Sequence, residues 1–170
     1  MSPRDKNIII IAAVLFAAVS GYMIWDQIQR KLRGGIEVGK KALDFTVPGP
    51  NGTSFTLSDH EGELVVIDFM TKSCGPCQKQ LDELERLAAE YDDVVIVSIE
   101  MDASLSWDSF IEYVEDKNLT FYMGHDSDVG RSYNVYYIPS ILIVDREGII
   151  RHRGYYTTYD QLKDLVNMYL

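Results

Sequence analysis

Leu64-Val65-Val66-Ile67-Asp68-Phe69-Met70, followed three residues later by Cys74-Gly75-Pro76-Cys77 and then by Gln78 to Tyr91, is the stretch on which the fold turns. Its first seven residues form a short β-branched apolar run free of Gly and Pro, which predicts a buried strand. From Gln78 onward, Leu81, Leu84, Leu87, Ala88 and Tyr91 recur at the spacing of one helix face. A strand, a short turn and a helix therefore set both cysteines at a helix N-terminus. Unpaired backbone N–H groups and the helix dipole favour a thiolate there. Such a position lowers a thiol pKa to roughly 3.5–7.5, and the thiolate is the form that attacks disulfides. The chain has only these 2 cysteines, so a bridge can open and close with little backbone movement. The stretch points to redox chemistry.

Two other uses of this spacing compete. A zinc site needs about four ligands, and the sequence offers no second cysteine pair, only the scattered His60, His125 and His152. A purely structural bridge stabilises most when it closes a long loop, whereas this one spans two residues.

The 170 residues suffice for one domain and an appendage. Asn7 to Trp25 is a 19-residue stretch without charge, close to the roughly 20 apolar residues that cross a bilayer. Arg4 and Lys6 precede it, and Tyr22 and Trp25 fall where interfacial aromatics belong. A signal peptide cleaved near Ala18-Val19-Ser20 is the rival; continuation of the apolar run through Trp25 favours a retained anchor. The expected division is a membrane anchor over residues 1–29 with its span at about 7–25, a polar linker over 30–41 containing Gly34-Gly35, and a folded domain over 42–170. From Ile36 onward there are 24 acidic and 11 basic residues, against two acidic and five basic before it. An acidic domain repels phosphate backbones, which argues against a nucleic-acid partner; steering of basic protein substrates is the functional alternative to a merely solvated surface.

Beyond the cysteines, Ala42–Thr46 and Ser54–Leu57 read as a hairpin around Asn51-Gly52. Val94–Ile99 reads as a second buried strand. Ser106 caps a helix that turns Trp107, Phe110, Ile111 and Val114 inward. Thr120–Met123 is a short strand and Asp128–Tyr133 a short helix. Ser140–Val144 and Ile149–Arg153 are joined across Asp145-Arg146-Glu147-Gly148, and Thr158 with Gln161 forms a capping box for a last helix burying Leu162, Leu165 and Val166. Strand–helix–strand units followed by a hairpin and a helix imply an α/β domain with a mixed sheet and helices on both faces.

Over residues 42 to 170 the chain resembles the thioredoxin superfamily, through Val66-Ile67-Asp68-Phe69, Cys74-Gly75-Pro76-Cys77 and Ile138-Pro139 before the Ser140 strand. The extra amino-terminal hairpin, the Asp145-Arg146-Glu147-Gly148 turn and the anchor are similar to the membrane-tethered TlpA/ResA-like (redoxin) branch, thiol–disulfide oxidoreductases related to cytochrome c maturation. The resemblance implies a thioredoxin fold, a single-pass cell-membrane location with the domain on the extracytoplasmic face, and no cofactor beyond the Cys74–Cys77 disulfide. The basic residues after the span disagree, because a positive-inside count leaves the domain in the cytoplasm, although large domains translocate largely regardless of charge. Implied partners are protein disulfides in exported proteins or apocytochromes, and a thiol electron donor such as a membrane electron carrier. No Cys-x-x-Cys-His is present, so the chain is not itself a c-type haem carrier.

In this reading Cys74, nearer the open end of the turn, is the nucleophile, and Cys77 resolves the mixed disulfide. Pro76 suits the first helical turn. Gly75-Pro76 is the dipeptide of reducing thioredoxins, whose potential lies near about −270 mV, and so points to reduction. Asp68, a charge inside an apolar strand, takes a raised pKa from burial, and the resemblance makes it the base for Cys77. The resemblance also implies a cis peptide before Pro139, and a backbone at Ile138 that aligns substrate by strand addition.

Three positions depart from the pattern. Ser73, preceded by Lys72, stands where thioredoxins carry a tryptophan before the first cysteine, Gln80 replaces an acid common in the tethered branch, and Ser98 replaces a lysine beside the buried aspartate. Two further functions compete. Thr71, three residues before Cys74, is placed as in thiol peroxidases, although Ile67 stands where those enzymes carry proline. A copper-delivery module of the same fold would recruit His125 and Met123, against a cysteine spacing that is one residue too short.

Overall fold

All seven residues of Leu64–Met70 are buried, because this strand lies at the centre of a five-stranded sheet and is covered on both faces. The computed structural model describes Phe16, residues 19–22 and residues 35–170. In chain order its elements are β1 (Thr46–Pro48), β2 (Ser54–Thr56), β3 (Leu64–Met70), α1 (Gly75–Ala88), β4 (Val94–Glu100), α2 (Trp107–Lys117), β5 (Tyr122–His125), α3 (Ser127–Ser132), β6 (Ser140–Val144), β7 (Ile150–Gly154) and α4 (Tyr159–Tyr169). The sheet order is β5-β4-β3-β6-β7. β3, β4 and β5 run parallel, while β6 and β7 are antiparallel to their neighbours.

The period-two alternation of β3 divides the core. Val65, Ile67 and Phe69 face a cluster containing Val129 of α3, Tyr133 and the aromatics Phe45 and Phe55. Leu64 and Val66 face Leu84 and Leu87 of α1 and Leu162 and Val166 of α4. Met70 continues that second face, meeting Cys77 and Leu81 of α1, Phe110 and Tyr113 of α2, and Met123. Burial of Leu81, Leu84 and Leu87, each at most 1% exposed, contributes about 1.5–3 kcal/mol apiece. It holds in place the helix whose first turn carries the cysteines.

Several expected boundaries shift. The arms expected over 42–46 and 54–57 become shorter strands, with Thr46 opposite Thr56. Residues 41–42 are engaged elsewhere, through a Lys41–Ile149 bridge and an Ala42 N–H to Gly148 carbonyl bond, and Leu57 opens a 3₁₀ turn. Asn51 and Gly52 do turn the chain, with φ of 58° and 75°. Trp107 is not inward but 39% exposed. It is the first residue of α2 and packs flat against His125 beside Phe110, while Tyr113 takes the buried place on that helix. The strand expected at 120–123 runs Tyr122–His125, since Glu85 accepts hydrogen bonds from the Thr120 N–H and hydroxyl.

Residues 35–41, read as linker from composition, belong to the compact unit of residues 35–170. Gly39 N–H donates to the Ile150 carbonyl, Ile150 N–H donates to the Lys40 carbonyl, and the Arg153 guanidinium donates to the Ile36 carbonyl. The expected membrane span at 7–25 lies outside the described residues except for Phe16 and residues 19–22, which are helical. Among the described residues no helix is long and apolar enough to cross a membrane.

Candidate active site

Cys74 is the N-cap of α1, and its sulfur accepts from the Cys77 N–H at 3.2 Å. The helix therefore directs one of its unpaired donors at the residue best placed to use it. Gly75 and Pro76 follow in the first turn, both exposed, with proline where a missing N–H costs nothing. The two sulfurs are joined at 2.03 Å. Cys74 is half-buried, whereas Cys77 has no exposure and packs among Met70, Leu81 and Phe110. Ile138 packs against the same cluster, and the Ile138–Pro139 peptide is cis, with Pro139 buried at the entrance to β6.

Beneath α1 a row of polar side chains interrupts the apolar face of the sheet. Asp68 and Ser98 are register partners on β3 and β4 and both are fully buried. Ser98 Oγ donates to Asp68 Oδ2 at 2.9 Å, while Oδ1 is buried with no hydrogen-bond partner. Desolvation pushes the Asp68 carboxyl up to about 7, with the Ser98 bond opposing it. By the alternation of β3, Asp68 lies on the same face as Val66, which meets Leu84, and Met70, which meets Cys77. A carboxyl able to exchange a proton near neutral pH is thus set under the redox helix.

Glu100, at the end of the same row, was not singled out by sequence. It has no exposure and lies opposite Met70. Its two carboxylate oxygens accept from the backbone N–H groups of Lys72 and Asp102, fixing the segment that enters Cys74. Burial raises its pKa, partly offset by those two bonds. Gln80 is no spare polar group either: fully buried, its amide donates to the Thr157 carbonyl at 3.0 Å and accepts from the Thr157 N–H at 2.7 Å. It ties α1 to the segment preceding α4. A charged residue closing an apolar strand was the only available signal for Glu100, and it equally suits an exposed strand end.

Of the groups that competing chemistries would use, His125 is held elsewhere and Thr71 has only a distant hydroxyl neighbour. The Thr71 hydroxyl lies 3.5 Å from that of Ser73. His125 Nε2 bonds to the Asp102 carbonyl at 3.0 Å, and its ring packs on Trp107 and Phe110.

The model of the AhpC/TSA family matches residues 38–153. The chain belongs to this family. Within it, the chain is similar to the thiol-disulfide oxidoreductase ResA of Oceanobacillus iheyensis, at 31% identity over 152 residues, covering 84% of this chain and 74% of that one. It is also similar to the thioredoxin-like protein YneN of Bacillus subtilis, at 27% over 146 residues, covering 83% and 86%. A crystal structure assigned as the thiol:disulfide interchange protein DsbE of Chlorobium tepidum superposes with a TM-score of 0.71 at 25% identity, over 79% of this chain and 98% of that one. This AhpC/TSA member has the thioredoxin-like fold and lies in the ResA-like branch; it is a thiol–disulfide oxidoreductase.

Proposed function

We propose that the chain is a membrane-anchored reductase of protein disulfides, working by dithiol exchange through Cys74 and Cys77. The observation that carries this reading is the asymmetry of the pair: a half-buried Cys74 sulfur at the open end of α1, above a sealed Cys77. In the reduced enzyme the Cys74 thiolate attacks one sulfur of a substrate disulfide. That S–S bond breaks, a mixed disulfide forms, and the leaving substrate thiolate takes a proton. Asp68 removes the Cys77 proton, and Cys77 attacks Cys74 Sγ, releasing the second substrate thiol and closing the Cys74–Cys77 bridge. Two electrons have passed to the substrate, and a dithiol donor restores them. Gly75 and Pro76 shape the approach to Cys74, and the Ile138–Pro139 backbone aligns the substrate chain beside it.

The uncharged stretch 7–25 supplies the anchor, and the family likeness favours the extracytoplasmic face. Exported proteins or apocytochromes are the substrates, and a membrane electron carrier is the donor. Insulin reduction by the dithiol-regenerated full chain, with Cys74→Ser and Cys77→Ser as controls, tests the chemistry. Absence of turnover, or retained turnover in Cys74→Ser, overturns it. Reporter fusions at the carboxyl terminus, one active only outside the membrane and one only inside, test the location.

A further inference from the structure

Three of the 11 tyrosines, Tyr137, Tyr155 and Tyr156, share a groove with Pro76, and Tyr136 adjoins them. Tyr136, Tyr137, Tyr155 and Tyr156 are 81%, 70%, 62% and 40% exposed, in contrast to the buried Tyr113 and Tyr133. They lie on the segments that precede β6 and follow β7. Pairing of Ile141 with Gly154 brings these segments together, and the Tyr137 and Tyr155 rings meet edge to face at 6.0 Å. With Pro76, Ile138, Pro139 and Tyr156, these two rings line an apolar groove of about 460 Å³. Pro76 lies between the two cysteines in sequence, so the groove borders the turn that carries them. A contiguous aromatic surface left open to water marks an interaction site, and tyrosine is among the residues that dominate such contacts.

Charge narrows the occupant. The Tyr156 hydroxyl donates to Glu83 Oε1 at 3.1 Å, and exposed Asp82 precedes Glu83 on α1. The same rim already holds one cation over a tyrosine face, since the Arg86 guanidinium sits 4.1 Å from the Tyr159 ring centroid and Arg86 pairs with Glu83 at 2.9 Å. Aromatic faces attract cations, lysine and arginine included, and acidic surroundings accelerate encounter with basic partners.

We propose that Tyr137, Tyr155 and Tyr156, with Asp82 at their rim, determine specificity by taking an extended polypeptide whose disulfide cysteine is flanked by an apolar side chain and a lysine or arginine. The groove's ring faces and prolines receive the apolar side chain, and the exposed Asp82 beside Tyr156 receives the cation. This inference rests on the reductase reading of the same site.

The test uses the full chain in detergent and three disulfide peptides of equal length, with Lys-Phe, Ser-Phe or Glu-Phe beside the cysteine. The expected kcat/KM is at least tenfold higher for the lysine peptide than for the glutamate peptide in 20 mM salt, with the ratio shrinking in 500 mM salt. Tyr137→Ala/Tyr155→Ala brings the ratio toward one, whereas Tyr137→Phe/Tyr155→Phe preserves it. Asp82→Asn, at an exposed position, lowers the ratio without touching the core. A lysine-to-glutamate ratio below two, or one unmoved by both the alanine pair and Asp82→Asn, overturns the proposal. Equal reduction of all three peptides refutes the groove while leaving the reductase standing; reduction of none refutes the reductase reading itself.

Discussion

Asp68→Asn is the substitution whose outcome follows most directly from the structure. The carboxyl is fully buried, with Ser98 on one oxygen and nothing on the other, and burial lifts it from 3.8 to about 7. The folded state therefore holds its proton more tightly than the unfolded chain. Its contribution to stability is fully present below about pH 4 and is lost as pH rises through about 7. A shift of about 3 units at 1.36 kcal/mol each makes the loss ~4 kcal/mol. Asparagine abolishes that loss, but it turns amide hydrogens toward a site with no acceptor, at a cost of about 1–3 kcal/mol. At pH 8 the variant is expected to be more stable than the parent by roughly 1–3 kcal/mol, and at pH 4 less stable by up to about 3 kcal/mol. Urea unfolding of residues 35–170 with the disulfide intact, at steps from pH 4 to 8, measures the difference and cancels the other carboxylates. A difference that does not vary with pH would refute the reasoning, since Asp68 would then titrate as an ordinary solvated carboxyl. If Asp68 is also the base for Cys77, stopped-flow resolution of a mixed disulfide slows by about 100-fold or more in the same variant.

In the reduced protein at neutral pH, iodoacetamide is expected to label Cys74 before Cys77, and Cys77→Ser to accumulate a mixed disulfide visible by mass spectrometry; first labelling at Cys77 reverses the roles. Gln80→Leu strips partners from the buried N–H and carbonyl of Thr157 and should cost about 2–4 kcal/mol in urea unfolding; a loss under about 0.5 kcal/mol would show that water replaces the amide. Glu100→Gln offers one acceptor where two N–H groups converge. It should cost about 1–3 kcal/mol and raise hydrogen exchange at Lys72 and Asp102, whereas unchanged exchange there would separate Glu100 from the Cys74 segment. Removal of residues 1–34 should leave a folded, active domain, read by circular dichroism and insulin reduction; a folded but inactive product would give the amino-terminal segment more than an anchoring role.

The strand at 64–70 and the cysteine turn were legible because period, composition and spacing act locally. The capping box of Thr158 and Gln161 was legible for the same reason, and both of its hydrogen bonds form. Asp68 could be placed in the core because no neighbour within its strand is polar. What escaped depends on pairing between distant segments. Tyr137 meets Tyr155 only through the β6–β7 register, and Gln80 finds Thr157 across 77 residues. Ser98 stands in sequence as the absence of a lysine, whereas in the fold it is a hydrogen-bond donor to Asp68. Trp107 misled because helical spacing counts angle and not depth, and the first residue of a helix can continue the right stripe while remaining at the surface.

The stitching of residues 39–41 onto β7 has a consequence for solubility. An outermost strand offers a row of free amides and carbonyls on which another copy can template itself. Here the Ile150 N–H and carbonyl are already taken by Lys40 and Gly39, and Lys41 bridges Ile149. The segment acts as a selvedge, finishing the cloth of the sheet where it would otherwise fray into intermolecular pairing. An extracted domain cut at residue 42 would have this end of the edge unpicked, whereas one cut at residue 35 keeps its stitches at Ile149 and Ile150.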